Sequence, residues 1–257
     1  MPSSPFDSPF LLLERAQENR RELNESAKAF FDTRPYAPVI EYDSENRQHV
    51  CKVRLTSELP PRLWSIAADA LNNLRAALDQ GVCATVTILN PSASLDRLYF
   101  PFGHSKSHFE KSVSKIAPRL HPRVVSVFGF FQPYKGGNDR FWALKNLTNS
   151  NKHRSLISFG ASVDNIEVNT LDIPNVRALR RPYWDTPRNE LIISRTAERI
   201  EPRYDLNVSF HIAFGDIEGL RGTPVIQSID YLAAIVGSFL TGIESDVQRI
   251  LVGDPFS

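Results

Sequence analysis

Cysteine is scarce in this chain: Cys51 and Cys83 are the two among 257 residues, too few for a disulfide framework or a zinc site. Long hydrophobic runs are lacking as well. The longest, Tyr231 to Leu240, is about half of the roughly 20 residues that a membrane span needs. The first residues, Met1-Pro2-Ser3-Ser4-Pro5, show no basic segment leading into an apolar one, so secretion is not expected and the cytoplasm is the default. No Gly-rich phosphate loop occurs, because Gly136-Gly137 has neither the spacing nor the following Lys-Ser/Thr, and there is no G-x-S-x-G elbow. These shortages disfavour a nucleotide-binding or hydrolase fold. No cofactor is expected.

What is present reads as an ordinary globular protein, with 42% hydrophobic and 23% charged residues and a formal net charge of +1. The length suits one domain with a substantial core. The even balance hides an asymmetry. From Arg97 to Arg154 there are eleven Lys/Arg against Glu110 and Asp139, whereas from Asp205 to Asp254 seven acids face Arg221 and Arg249. Four of the six histidines (His104, His108, His121, His153) and ten aromatic residues, Tyr99 to Trp142, share the basic stretch. Cations that neutralise phosphates, interleaved with rings that offer stacking faces, are what a single-stranded nucleic-acid surface needs. The plainer reading makes Lys106, Lys111 and Lys115 a solvated helix face and places the rings in the core, as the run Val124-Val125-Ser126-Val127-Phe128 suggests. An excess of Arg over Lys, 22 to 8, fits a GC-rich bacterial source.

Periodicity predicts a first helix from Ser8, as its cap, to Phe31, then a β-hairpin formed by Val39–Tyr42 and His49–Leu55 around Asp43-Ser44-Glu45-Asn46. Pro60-Pro61 opens a second helix to about Gln80. Gly81 either ends it, or the run Val82 to Leu89 continues it or turns into a strand. Tyr99 to Gly103 reads as extended. A capping box of Ser107 with Glu110 starts a third helix that ends by Pro118. Pro122 opens another helix to Phe131, and Asp139 to about Asn151 forms a further one. Strands follow at 157–159, 166–173, 190–195 and 206–214, the last alternating cleanly through Leu206, Val208, Phe210, Ile212 and Phe214. The expected fold is α+β: a helical bundle with an N-terminal β-hairpin and a C-terminal antiparallel sheet closed by a long final helix. It forms one domain over 1–257, helix-rich to 156, strand-rich over 157–223, with the final helix over 224–252.

Two polar stripes stand out on helices. Asn72, Arg75 and Asp79 are spaced i, i+3, i+7, as are Asn146, Asn149 and His153, the latter flanked by Lys152 and Arg154. If the stripes face each other, His153 acts as acid or base on a phosphoester while Arg75, Asn149, Lys152 and Arg154 hold and stabilise the anion. Asn72, Asp79, Asn146, Trp142 and Tyr134 are then the candidate binding residues. In the plainer alternative, Arg75–Asp79 is an exposed ion pair, His153 caps its helix, and the stripes form a polar network joining helices to sheet. His104 and His108 have a four-residue ligand spacing, but His104 precedes the expected helix start, and no metal site is expected.

Asn73-Leu74-Arg75-Ala76-Ala77-Leu78-Asp79, Phe100-Pro101-Phe102, Gln132-Pro133-Tyr134 and Phe141-Trp142-Ala143-Leu144 leading to Asn151-Lys152-His153-Arg154 occur in this order. The series resembles a group of uncharacterised bacterial proteins with an LRxALD helix and a W-x-L…(D/N)KHR segment, over roughly residues 66 to 160. Where such relatives carry Asp before Lys-His-Arg, this chain has Asn151. A weaker comparison is with HEPN-type helical domains, many of them RNases with an Arg followed by His. Arg97 and His104 match that spacing, but Pro101 lies between them and breaks a continuous helix. Two functions follow as expectations. The first is a non-catalytic binding or scaffold protein whose 97–154 stretch contacts nucleic acid or an acidic partner surface, with no membrane involved. The second is a metal-independent, RNase-like enzyme centred on His153.

Overall fold

The computed structural model describes residues 4–153, 159–170, 183–185, 188, 190–199, 204–215 and 217–253; within them, 149–153, 159–170, 183–184 and 204–210 are described as backbone only. Arg154 and residues 157–158 and 171–173, which the sequence assigned to a site and to strands, lie outside the described residues. The described residues form a mixed α+β fold.

Helix α1 (Asp7–Asp32) buries Pro9, Ala16, Asn19, Leu23 and Ala27, positions three, four or seven apart that share one face. Ser8 does not cap it. The chain tightens earlier, where the Phe6 N–H donates to Ser4 Oγ (3.2 Å) and the Ser4 N–H to Asp7 Oδ2 (3.0 Å). The Ser8 hydroxyl reaches instead to Gln80 Oε1, 2.6 Å away. Helix α2 (Pro61–Leu89) starts on a proline, whose missing N–H costs nothing there. It runs straight through Gly81. A Cβ at Gly81 would meet Leu240 Cδ2 at 2.5 Å, so this glycine marks close contact with the last helix.

Three shorter helices follow: α3 (Lys106–Ile116), continued by a 3-10 turn at Ala117–Arg119; α4 (Pro122–Phe131); and α5 (Asp139–His153). The cap of α3 is Ser105, whose Oγ accepts from the His108 N–H at 3.2 Å, rather than Ser107. Asn138 caps α5, its Oδ1 accepting from the Phe141 N–H at 3.0 Å. Helix α6 (Val225–Leu251) is long and apolar enough by length and composition to cross a membrane. Its Ile229, Leu232, Val236, Leu240, Ile243 and Val247 are nonetheless fully buried, and it packs on α1, α2, α4 and α5 as a core helix.

The strands are β1 (Tyr36–Asp43), β2 (Gln48–Leu55), β3 (Phe159–Thr170), β4 (Tyr183–Asp185), β5 (Glu190–Thr196) and β6 (Tyr204–Phe214). The hairpin is not a separate feature from the C-terminal strands. β2 pairs with β5, and β5 with β4, giving one antiparallel sheet of order β1-β2-β5-β4. β3 and β6 form an antiparallel ribbon of their own. β3 is a single long strand where periodicity suggested two, and Ile212, Ala213 and Phe214 at the end of β6 are all buried, so alternation does not extend there.

The sheet carries a buried charge network. Lys52 Nζ lies 2.8 Å from Glu190 Oε2 and 2.5 Å from Glu41 Oε2, and Arg54 Nε lies 2.6 Å from Glu190 Oε1. Burial alone would raise the Glu190 carboxyl, but hydrogen bonds and charge from Lys52 and Arg54 outweigh it and hold the group below its ordinary value.

Candidate anion-binding cleft

Three α2 side chains, one turn apart, hold the extended segment that follows the helix. The Cys83 thiol donates to Leu98 O at 3.7 Å, Asp79 Oδ1 accepts from the Phe100 N–H at 2.8 Å, and the Arg75 guanidinium stacks 4.6 Å from the Phe102 ring centroid. The match is geometric. Four helical residues rise about 6 Å and two extended residues about 6.6 Å, so positions 83, 79 and 75 fall opposite 98, 100 and 102. Asp79 also takes both Arg75 bonds, from Nε and from one terminal nitrogen, each at 3.1 Å. The pair is 17% and 23% exposed, which makes it a half-buried latch rather than the exposed pair that the spacing also allowed. Phe100 and Phe102 anchor the segment in an aromatic cluster, Phe100 lying 4.9 Å from Phe239 and 5.5 Å from Phe141. Gly103 ends it where a Cβ would meet the Phe109 backbone nitrogen at 2.4 Å.

This segment, with α3, its 3-10 turn and α5, encloses a cleft of about 360 Å³. His108, Ser112, Lys115 and Ile116 supply one face of α3, spaced i, i+4, i+7, i+8. Arg97 and Tyr99 come from the extended segment, Arg119 from the 3-10 turn, Arg75 from α2 and Lys145 from α5. Arg119 is fixed by bonds to Ser94 O (3.1 Å) and Asp96 O (2.9 Å). Arg97 sits in left-handed backbone space at φ 52°, a conformation that costs a non-glycine residue on the order of 1 kcal/mol. No Asp or Glu lines the cleft among the described residues.

These charges bear on Lys145 in the cleft and on His104 outside its lining. Burial, followed by the charge of Arg75, pushes the Lys145 ammonium below its usual range. Lys145 leads the causes that lower His104, with burial, His108 and Lys135 adding to it. The cleft keeps this charge because other cations of the basic stretch are paired with the acidic C-terminal part. Arg123 lies 2.8 Å from Asp246, and Lys135 pairs with Glu218. Lys115 and Lys145 have no carboxylate partner within ion-pair distance among the described residues.

The chain matches no protein-family model, no curated protein and no solved structure.

The residues singled out by sequence divide. Arg75 is part of the cleft and Asp79 holds it. Asn72 is half-buried on α2, its Oδ1 enclosed and without a hydrogen-bond partner, and Asn146 is half-buried on α5. Trp142 is a buried core ring, 3% exposed, with His104 at its edge at 6.3 Å. Tyr134 packs on Phe109 at 5.5 Å and lines a different groove, between α3 and α4. The backbone of Asn149, Lys152 and His153 lies in the last turn of α5; their side chains, and all of Arg154, lie outside the described residues. Lys145, Lys115, Arg119 and Tyr99 were not singled out. The i, i+4, i+7 spacing of His108, Ser112 and Lys115 was the available signal, and it reads equally as a solvated face. The rings of the basic stretch are mostly core, with Phe100, Phe102, Phe109, Phe128 and Phe141 buried. Tyr99, 57% exposed, lines the cleft, and Phe130 stands exposed elsewhere.

Proposed function

We propose that this protein binds nucleic acid, its cleft between α2, α3 and α5 receiving the phosphodiester backbone. One observation carries the reading: five cations line one concavity, and although Arg75 is paired with Asp79 and Arg97 with Asp96, Lys115, Arg119 and Lys145 have no carboxylate partner among the described residues. Guanidinium forks and ammonium groups arranged this way suit phosphate oxygens, and releasing counterions from the strand drives association. Tyr99 on the rim favours nucleic acid over an acidic protein surface, because a ring adds a stacking face that a carboxylate-rich peptide cannot use. The residues that carry the resemblance to bacterial proteins with an LRxALD helix and a (D/N)KHR segment fall on the elements that build this cleft, α2 to α5.

The test is fluorescence anisotropy with labelled oligouridylate and oligothymidylate across a salt series, oligoglutamate serving as the acidic-peptide control. The logarithm of the binding constant should fall with log salt, and Lys115→Ala or Lys145→Ala should each flatten the slope by about 0.7. Preference for oligoglutamate, or binding unchanged by either substitution, overturns the reading. The same samples report strand cleavage in EDTA. Cleavage abolished by His153→Ala with binding retained would establish the enzyme alternative.

A further inference from the structure

We infer that the cleft takes one unpaired nucleotide of a single strand, its base stacked on Tyr99 and its phosphate held by the cations of α3 and the 3-10 turn; this rests on the nucleic-acid reading above. Size is the first reason. A space of about 360 Å³ lies at the small end of the range for ligand sites, large enough for a nucleotide and far too small to accept a duplex. The second reason is where the ring stands. Tyr99 is exposed beside Arg97 in the extended segment, and the segment is fixed from behind, by Asp79 on the Phe100 N–H and by Cys83 on Leu98 O. Tyr99 is therefore an exposed ring on a segment whose backbone is held on both sides of it, and Lys115 and Arg119 line the same cleft from α3 and the turn after it. A base enclosed in a duplex cannot offer its face to such a ring, whereas an unstacked base can. Arg97, in left-handed backbone at the same rim and paired with Asp96 at 3.7 Å, adds an exposed planar cation beside the ring.

The 257-residue chain should bind oligouridylate more tightly than the same strand annealed to oligoadenylate, measured by anisotropy at one salt concentration. Tyr99→Ala should weaken the single-strand complex about five- to a hundredfold and leave the residual duplex affinity unchanged. Tyr99→Phe should bind as wild type, since it keeps the ring. Tyr99 is exposed, and a circular dichroism melt of each variant checks that the fold is intact. Uridine monophosphate should compete for the cleft. Equal affinity for duplex and single strand, or an unchanged Tyr99→Ala, overturns this inference while leaving nucleic-acid binding standing. If neither strand form binds, the nucleic-acid reading itself fails.

Discussion

Replacing Asp79 by alanine tests the latch on which the cleft is built. The substitution removes the acceptor of the Phe100 N–H and both bonds from Arg75. A buried donor left without a partner costs about 1–3 kcal/mol, and a half-buried ion pair adds at most about 1 kcal/mol. The expected loss is therefore about 1–4 kcal/mol. In a chain of this size each kcal/mol moves Tm by roughly 2–4 °C, so Asp79→Ala should melt about 2–16 °C below wild type, with a matching fall in the urea midpoint at unchanged m-value. Asp79→Asn separates the two contributions. It keeps a carbonyl oxygen for the Phe100 N–H and loses the charge, so its cost should stay below about 1 kcal/mol. A double-mutant cycle with Arg75→Met measures the pair itself. An Asp79→Ala protein within about 0.5 kcal/mol of wild type would refute the latch. Equal losses for Ala and Asn would place the stabilisation in the charge instead of the backbone bond.

Other perturbations have defined signs. Lys145→Met should raise stability by about 0.5–2 kcal/mol in low-salt denaturation, because it removes a half-buried cation beside Arg75, and should weaken oligonucleotide binding; a destabilised variant with full affinity would contradict the electrostatic account. Lys52→Met leaves Glu190 buried with Arg54 as its remaining partner, so urea unfolding should show a loss of up to about 3–5 kcal/mol, and a neutral result would remove the network from the account of the sheet. Glu190 and Asp43 both titrate below their ordinary values in the folded chain, Asp43 at about 2 through its bonds to Asn46. Their stabilisation is thus complete above about pH 5, past the unfolded values, and is lost as pH falls toward 2, and Asp43→Asn should flatten the acid limb of the stability profile. Gly103→Ala forces a methyl group onto the Phe109 nitrogen and Ser105 oxygen and should cost more than about 2 kcal/mol by calorimetry, since backbone cannot move aside as a side-chain tip can.

Much of the helical frame was legible because burial there follows a single face. On α2, Leu63, Ala67, Ala70, Leu71, Leu74, Ala77 and Leu78 are all buried at helical spacing along one face, and α6 spans the residues its pattern indicated. Gly81 shows where such reading stops. A glycine in a helical pattern signals either an end or a close approach, and only the position of Leu240 decides between them. The pairing of β2 with β5 joins residues far apart in sequence, and no local rule supplies it. The expected capping box of Ser107 with Glu110 is not formed: Ser105, two residues earlier, caps α3 by accepting from the His108 N–H, and His108 cannot return the bond as a Glu would. In the cleft, spacing along α2 revealed Arg75 and Asp79 but not their partner. That partner is an extended chain whose own repeat happens to match the helical turn. The LRxALD pattern is accounted for by this arrangement: its leucines and second alanine face the core while its Arg and Asp grip Phe100 and Phe102.

The distribution of ion pairs argues for a ligand at the cleft. Elsewhere in this fold the less exposed cations have carboxylates: Lys52 has Glu190 and Glu41, Arg123 has Asp246, and Arg20 has Asp230. A purely structural cluster would follow the same pattern, because an unpaired cation removed from water loses hydration without recovering it. Lys145 departs from it, half-buried and facing another cation. Among the described C-terminal acids, Asp246 pairs with Arg123 and Glu218 with Lys135, and none lines the cleft. On the proposed reading, a bound phosphate would supply the negative charge that Lys145 lacks among the described residues, which is why the ion-pair pattern favours an anion site over a polar scaffold.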